Sequence, residues 1–589
     1  MKQFFKFMFA SMLGFLISIF TLILILVGIV SSIASSAGDD KEVSIKDKSI
    51  LELNIDYTIP ERSSGNLFDN LDFNNMESKK NMGLNEILSC IKKAAEDDKI
   101  KGIFLKLSIS PNGYGTLEEI RNALIDYKKS KKFLVAYGEL VDEHAYYLAS
   151  VADKIYINPA GELILNGFSS EVFYLKNMFE KIGVNPELIR HGKYKAAGES
   201  LIADKMSEEN REQIESYVGS IYHHFIESIA KGRKKKTEEV GEIVNKLMIQ
   251  HPEDAKKLGM IDGLFYNDQL EAELKKLSGT SEKDKLNLVN MGKYKNVAGK
   301  HVSTADSKIG VVYCTGDIVS GKGDAQTMGS EKIAEAIRKV RTDDHYKALV
   351  MRINSPGGSA MASDVIWREV CLTKKVKPVV VSMGNVAASG GYYIAAPADM
   401  IVAEPNTVTG SIGVFGLLFN AKELINNKLG IKIETVNFGE YADMGRADRP
   451  LTDAERTIIQ KGVDRIYNDF VNKVAEGRKM SKARVDSIAQ GRVWSAIDAK
   501  RIGLVDELGG IDKAISVAAA RAKITAYRTV NLPEQKDQWE ELLMSLSDEA
   551  SMYFTKKQLG EEYKYYEQVK NAMHYQGIQA RMMFNVNIE

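Results

Sequence analysis

The feature that most constrains this chain is that it repeats itself. "AAEDDKIKGIFLKL" resembles "KVRTDDHYKALVMRI", and Asp97 and Asp98 recur as Asp343 and Asp344, 246 positions on. "GELVDEHAYYLASVADKIYINP" resembles "GNVAASGGYYIAAPADMIVAEP" at the same offset, so Tyr146 and Tyr147 fall on Tyr392 and Tyr393. Gly167 matches Gly413, again at 246. "GVNPELIRHGKY" matches "GIKIETVNFGEY" after a slip of one residue, which sets Tyr194 opposite Tyr441. An offset held across separate blocks is the mark of a tandem duplication. The chain must therefore build one architecture twice.

Each copy alternates two patterns. "IGVVYCTG", "ALVMRIN", "PVVVSMG" and "MIVAEP" are short and rich in Val and Ile, as strands buried on both faces are. "SEKIAEAIRKVRTDD" and "SDVIWREVCLTKK" carry apolar residues at helical spacing. Strand, helix, strand in series predicts βαβ units, an α/β fold and a mostly parallel sheet. The lysine-rich stretch 276–307 reads as a linker between a first copy at 39–275 and a second at 308–530. The remainder, 531–589, has a helical pattern whose aromatic residues suit core packing.

The N-terminus differs from all of this. No charged residue stands between Lys6 and Asp39. That run exceeds the ~20 apolar residues that cross a bilayer and the ~7–15 of a cleavable signal. Residues 7–38 are therefore expected to be an uncleaved anchor. Lys2 and Lys6 precede it and acidic residues follow, which keeps 1–6 in the cytoplasm and puts the rest outside. The expected location is the inner (cytoplasmic) membrane, single-pass, with the main body on the periplasmic side. Lys+Arg and Asp+Glu balance at 79 each, so nothing points to nucleic acid. Three distant cysteines, Cys90, Cys314 and Cys371, offer neither a zinc pattern nor a disulfide framework. No HExxH and no Walker A pattern is present, and no cofactor is expected.

Two loops of the second copy carry candidate chemistry. "RINSPGGSA" follows a strand, and its Pro-Gly-Gly turn can aim backbone N–H groups at an oxyanion. "GNVAASGG" ends the next strand, which brings Ser389 to the same sheet edge. The small neighbours of Ser389 suggest a hydroxyl within reach of a substrate. The first copy departs at both places: it reads "ISPNGYG", and Glu143 stands opposite Ser389. At "GKYKAAGES" the asymmetry reverses, because Lys195 stands where the second copy has Ala442. One copy keeps a serine and the other a lysine. A lysine acts as a general base once burial makes it neutral, so no histidine is required. His191, four residues before Lys195, is the rival base, and Ser389 could instead be a helix cap.

The motifs "NSPGGS", "GNVAASGGYYIA", "NTVTGSIGV" and "GKYKAAGE" resemble the long, tandem form of the bacterial signal peptide peptidase A (protease IV) family, peptidase family S49. The resemblance spans the chain from the anchor to about residue 525. It implies two Clp protease/crotonase-like βαβ-spiral domains and a Ser/Lys dyad of Ser389 and Lys195. It implies that Ser411 orients the lysine and that the N–H groups of Gly358 and Gly390 form the oxyanion hole. It further implies a membrane-seated homotetramer that degrades signal peptides and other apolar peptides. Two other classes remain open on the residues alone: a crotonase-type acyl-CoA enzyme, and a catalytically silent membrane scaffold.

Overall fold

The computed structural model describes residues 44–63, 82–299, 305–324, 327–534 and 578–582, with short pieces within the first 21 residues and at 71–72 and 77–78. The expected anchor is helical over 10–21, and its remainder lies outside the described residues. Among the described residues no helix is long and apolar enough to cross a membrane. Most of the helical pattern beyond 534 also lies outside them.

The duplication appears as two sheets with one strand order. In the first copy the order is Gly263–Leu264, Lys154–Leu163, Phe133–Val141, Ile100–Leu107, Ser49–Asn54 and Leu288–Asn290, all parallel. In the second the matching run is Glu507–Leu508, Met400–Ala403, Val379–Ala388, Tyr346–Ser355, Lys308–Thr315 and Arg528–Leu532, again all parallel, and Val408–Gly410 with its antiparallel neighbour Val493–Ser495 branches from Val379–Ala388. The α/β reading of the strand patterns therefore holds. The stretch 276–307 is not all open chain: Leu288–Asn290 is the outer strand of the first sheet, the counterpart of Arg528–Leu532. Only one of its three residues is buried, which is why its composition reads as linker.

The paired tyrosines serve packing in both copies. Tyr146 Oη donates to the Met260 carbonyl at 2.6 Å, and Tyr392 Oη to the Leu504 carbonyl at 2.8 Å. Tyr147 reaches Glu118 and Tyr393 reaches Asp364, a repeated contact.

The copies are joined by polar groups as well as by apolar contact. Arg352, fully buried, donates from Nε to Glu61 Oε2 at 2.7 Å and also pairs with Glu119, both from the first copy. Glu404 lies beside this group, and burial with the nearby Glu119 and Glu118 charges pushes its pKa well up. Asn385 exchanges hydrogen bonds with Thr116, its Oδ1 accepting from the backbone N at 2.8 Å.

A third sheet crosses between the copies. The strand Asn185–His191 of the first copy pairs antiparallel along its full length with Val414–Asn420 of the second. The fourth block of the repeat thus behaves differently in the two halves. In the first copy it is this bridging strand. In the second, residues 431–437 form no strand, and Ile431, Ile433, Val436 and Phe438 are exposed.

Candidate active site

The two loops singled out in the second copy do meet at one edge. Strands Tyr346–Ser355 and Val379–Ala388 are parallel neighbours. The first runs into the turn Pro356-Gly357-Gly358, where φ of Gly357 is +101°. A Cβ at Gly357 would fall 2.6 Å from the Gly390 nitrogen, so the two loops touch backbone to backbone.

The second strand ends at Ser389, which has φ +54° and ψ −113°. Few non-glycine residues adopt this conformation, and it costs on the order of 1–3 kcal/mol. Two backbone bonds hold it: Ser389 N donates to the Gly410 carbonyl and Tyr393 N to the Ser389 carbonyl, both at 2.8 Å. Ser389 sits at the N-cap of the helix Gly390–Ala395, but its side chain makes no capping bond. The hydroxyl is turned elsewhere.

It is turned to Lys195. The bridging strand ends at His191, and the chain then folds inward. The Arg190 guanidinium donates to the Lys195 carbonyl at 2.8 Å. Gly491 leaves room for the lysine backbone: at φ +81°, a Cβ there would lie 2.6 Å from three Lys195 atoms. Lys195 Nζ comes 2.8 Å from Ser389 Oγ, 3.0 Å from Ser411 Oγ and 3.2 Å from the Ser411 carbonyl. Burial lowers its pKa from 10.5 to about 7. Ser411 is also held at positive φ, +49°, with its N–H donating to the Arg492 carbonyl at 2.7 Å.

His191 is engaged elsewhere. Its Nδ1 is 2.7 Å from Asp464 Oδ1, and its ring stacks on Tyr467 at 3.9 Å. One sequence expectation needs correction. Ser389 is fully buried rather than open to solvent, because other parts of the chain cover it. Arg190 and Gly491 escaped the sequence reading, since each acts through a contact between chain segments distant in sequence. A strand at Ile578–Arg581 escaped it too. It lies beside the Gly357–Ser359 turn, in a region that reads as helical.

A nucleophilic hydroxyl, a desolvated amine and a glycine turn can together perform acyl transfer. The model of peptidase family S49 matches residues 126–281 and 372–525, one segment in each copy. The chain belongs to peptidase family S49. Among relatives of this S49 chain, a chloroplastic serine protease SPPA of Arabidopsis thaliana is 36% identical over 468 residues, covering 78% of this chain and 69% of the relative. A Protease 4 of Haemophilus influenzae is 32% identical over 518 residues, covering 84% and 82%. A ClpP1 variant of Listeria monocytogenes aligns over 35% of this chain and 94% of its own at 17% identity, with a TM-score of 0.24. The S49 chain is thus a serine protease.

Proposed function

We propose that this S49 protease is a membrane-anchored endopeptidase in which Lys195 is the general base for Ser389. The contact between Lys195 Nζ and Ser389 Oγ, at 2.8 Å, carries the reading. A neutral amine has one lone pair and two N–H groups. The two contacts to Ser411 use the N–H groups, which leaves the lone pair for the Ser389 hydroxyl. Near neutral pH a large fraction of Lys195 is in that state.

Peptide hydrolysis then proceeds in two stages. Lys195 takes the Ser389 proton as Oγ attacks the carbonyl carbon. The Gly358 and Gly390 N–H groups stabilise the oxyanion. Lys195 returns the proton to the leaving amine, and water releases the acyl group by the same route. Ser411 acts as a positioning residue for the lysine.

The anchor at 7–38 would seat this centre on the extracytoplasmic side of the membrane, with apolar peptides such as spent signal peptides as substrates. The membrane and substrate parts follow from the uncharged N-terminal run and the motif resemblance. A Clp protease/crotonase-like frame and a homotetramer belong to the same proposal. The exposed segment 431–438 is the repeat counterpart of the bridging strand, and residues 168–174 are the counterpart of that strand's partner. Neither forms a strand here. Two chains could complete each other by repeating the internal contact head to tail, which makes a ring where the rotation closes.

A serine-directed covalent probe tests the chemistry. It should label Ser389 in the wild type, with a rate that rises with pH through about 7, and should label Lys195→Ala far more slowly. Equal labelling of both proteins would remove Lys195 from the mechanism. Coenzyme A ester turnover without peptide hydrolysis would favour the crotonase-type reading, and neither activity the scaffold.

A further inference from the structure

The residue before Lys195 is tied to the second copy by one buried side chain. Gln213 lies on the helix Glu208–Arg233 of the first copy and has no exposed surface. Its Nε2 donates to the Tyr194 carbonyl at 3.1 Å, and its Oε1 accepts from Val493 N at 3.1 Å. Nε2 also donates to Asn210 Oδ1 at 2.9 Å. The two backbone partners have fixed polarity, so the amide can face only this way. Resting on the Ser389–Lys195 reading above, we propose that Gln213 is a positioning residue of the active site, which seats Lys195 against the two serines of the other copy.

Both ends of the bridge lead to the reacting groups. On the first-copy side, Asn210 Nδ2 passes the contact on to Glu199 Oε1 at 3.3 Å. The other Glu199 oxygen lies 4.0 Å from Arg190, which holds the Lys195 carbonyl. The carbonyls on either side of the Lys195 Cα are thus held by the two ends of one network. On the second-copy side, Val493 stands opposite Gly410 in the antiparallel pair of Val408–Gly410 with Val493–Ser495. The Gly410 carbonyl accepts from Ser389 N, and Ser411 is the next residue. Gln213 therefore spans from the backbone of the base to the strand that anchors Ser389 and runs into Ser411.

A lysine reaches its target on a flexible four-carbon stem, and a catalytic contact must hold to about 0.5 Å. Fixing the backbone on both sides of Lys195 removes part of that freedom. The bridge also closes the joint between the copies beside the amine. Water there would return the amine towards its ordinary charged state. The charged groups of the surrounding elements are engaged with one another: Arg190 with Glu199, Arg492 with Glu212 and His191 with Asp464.

The repeat separates this contact from ordinary packing. The helices Glu208–Arg233 and Asp453–Arg478 are each 26 residues long, and their caps, Ser207 and Thr452, are 245 positions apart. At that offset Tyr222 matches Tyr467, and their hydroxyls meet a matching pair, Asn245 at 2.9 Å and Gln490 at 3.1 Å. That link occurs in both copies and serves the fold. Gln213 instead falls on Ile458, which is 42% exposed. Only the copy that supplies the lysine carries the amide.

Hydrolysis of a fluorogenic apolar peptide across pH tests this, with the full chain and its variants Gln213→Met, Gln213→Asn and Lys195→Ala, and with thermal unfolding of each. Methionine fills the same space without hydrogen bonds, and asparagine is one methylene too short to reach both partners. Burial brings the Lys195 pKa to about 7, so the acid limb of wild-type kcat/KM should lie there. In Gln213→Met, kcat at pH 7 should fall about tenfold or more with KM little changed. Its acid limb should move up by about one pH unit as water reaches the amine. Gln213→Asn should shift the same way by less, and it decides the matter should Gln213→Met not fold. An acid limb in its wild-type place, with activity lost only as the folded fraction falls, would make Gln213 a purely structural residue and overturn the proposal. Folded variants with wild-type kcat would overturn it too, and would leave the Ser389–Lys195 reading standing. Undiminished activity in Lys195→Ala would instead remove the base itself, and this proposal with it.

Discussion

The same bend is built twice in this protein, once relaxed and once strained. In the first copy the strand Phe133–Val141 leads to Asp142, whose φ is −86° and whose carboxylate accepts from Ala145 N as an ordinary helix cap. In the second copy the strand Val379–Ala388 leads to Ser389 at φ +54°, with no cap bond. Glu143 stands opposite Ser389 in the repeat. Its carboxylate accepts from the backbone N–H groups of Asn166 and Gly167 at 2.7 and 2.6 Å. The glycine turn differs in the same sense. Asn112 occupies the first copy's turn and accepts from Ile59 N at 2.8 Å, while donating to the Tyr57 carbonyl. The first copy has used its polar groups to satisfy its own backbone. In the second, Ser355 serves the glycine turn, while Ser389 meets Lys195 of the other copy.

The sharpest way to break this comparison is to move the lysine. Lys195→Ala should lower peptidase kcat by about 10³-fold or more, the usual scale for losing half of an acid–base and nucleophile pair. Adding Ala442→Lys should not rescue it, because residues 439–445 of the second copy lie exposed, away from Ser389. Rescue would mean that the copies are interchangeable at this position.

An effect of similar size concerns stability. Lowering the Lys195 pKa from 10.5 to about 7 corresponds to about 5 kcal/mol of cost for holding the charged form. Between those two pH values the unfolded chain binds the extra proton, so wild-type stability should rise as pH climbs from 7 to 10.5. Lys195→Met lacks this dependence. Its advantage in denaturant unfolding should be greatest below pH 7 and gone above 10.5. A constant difference at all pH values would place the lysine in water rather than in the core.

The joint between copies comes next. Arg352→Met would strand Glu61 and Glu119 without their buried partner, at a cost of about 3–5 kcal/mol. Thermal unfolding should show the loss, and an unchanged Tm would mean that the two copies do not depend on this pair. The smallest effect is expected at Ser411→Ala. It removes one of the two hydrogen bonds that orient Lys195 and leaves the carbonyl contact. About a tenfold loss in kcat, with KM little changed, would match one hydrogen bond of about 1.4 kcal/mol. A change confined to KM would place Ser411 in substrate binding instead.

Much of this was legible in the sequence, because duplication makes a chain its own control. A position where one copy keeps a serine and the other a glutamate is visible without any structure. The meeting of Ser389, Lys195 and Ser411 follows from such contrasts together with the motif resemblance. What stayed hidden depends on pairing at long range. Residues 431–437 carry the same alternating pattern as the bridging strand yet form no strand, and neither do residues 168–174, the repeat counterpart of that strand's partner. Leu288–Asn290 is too short to read as a strand. Ile578–Arg581 gains its extended form only from the two strands flanking it. Arg352 and its carboxylates read as surface charge until the copies are packed together.

The bridging strand has a consequence in time. Ribosomes add about 5–20 residues per second and domains tend to fold from the N-terminal end. Lys195 is made early, whereas Ser389, Ser411 and the Gly491 turn that accommodates the lysine follow up to about 300 residues later. For roughly 10–40 s at that rate the nascent chain carries Lys195 without Ser389. Chains stalled before Val493 should resist a serine-directed probe; labelled ones would break the argument. The strand Ile578–Arg581, which pairs with the Gly357–Ser359 turn, is made later still. Synthesis itself therefore works as a delay line: Ser389 and Lys195 cannot meet until most of the chain exists.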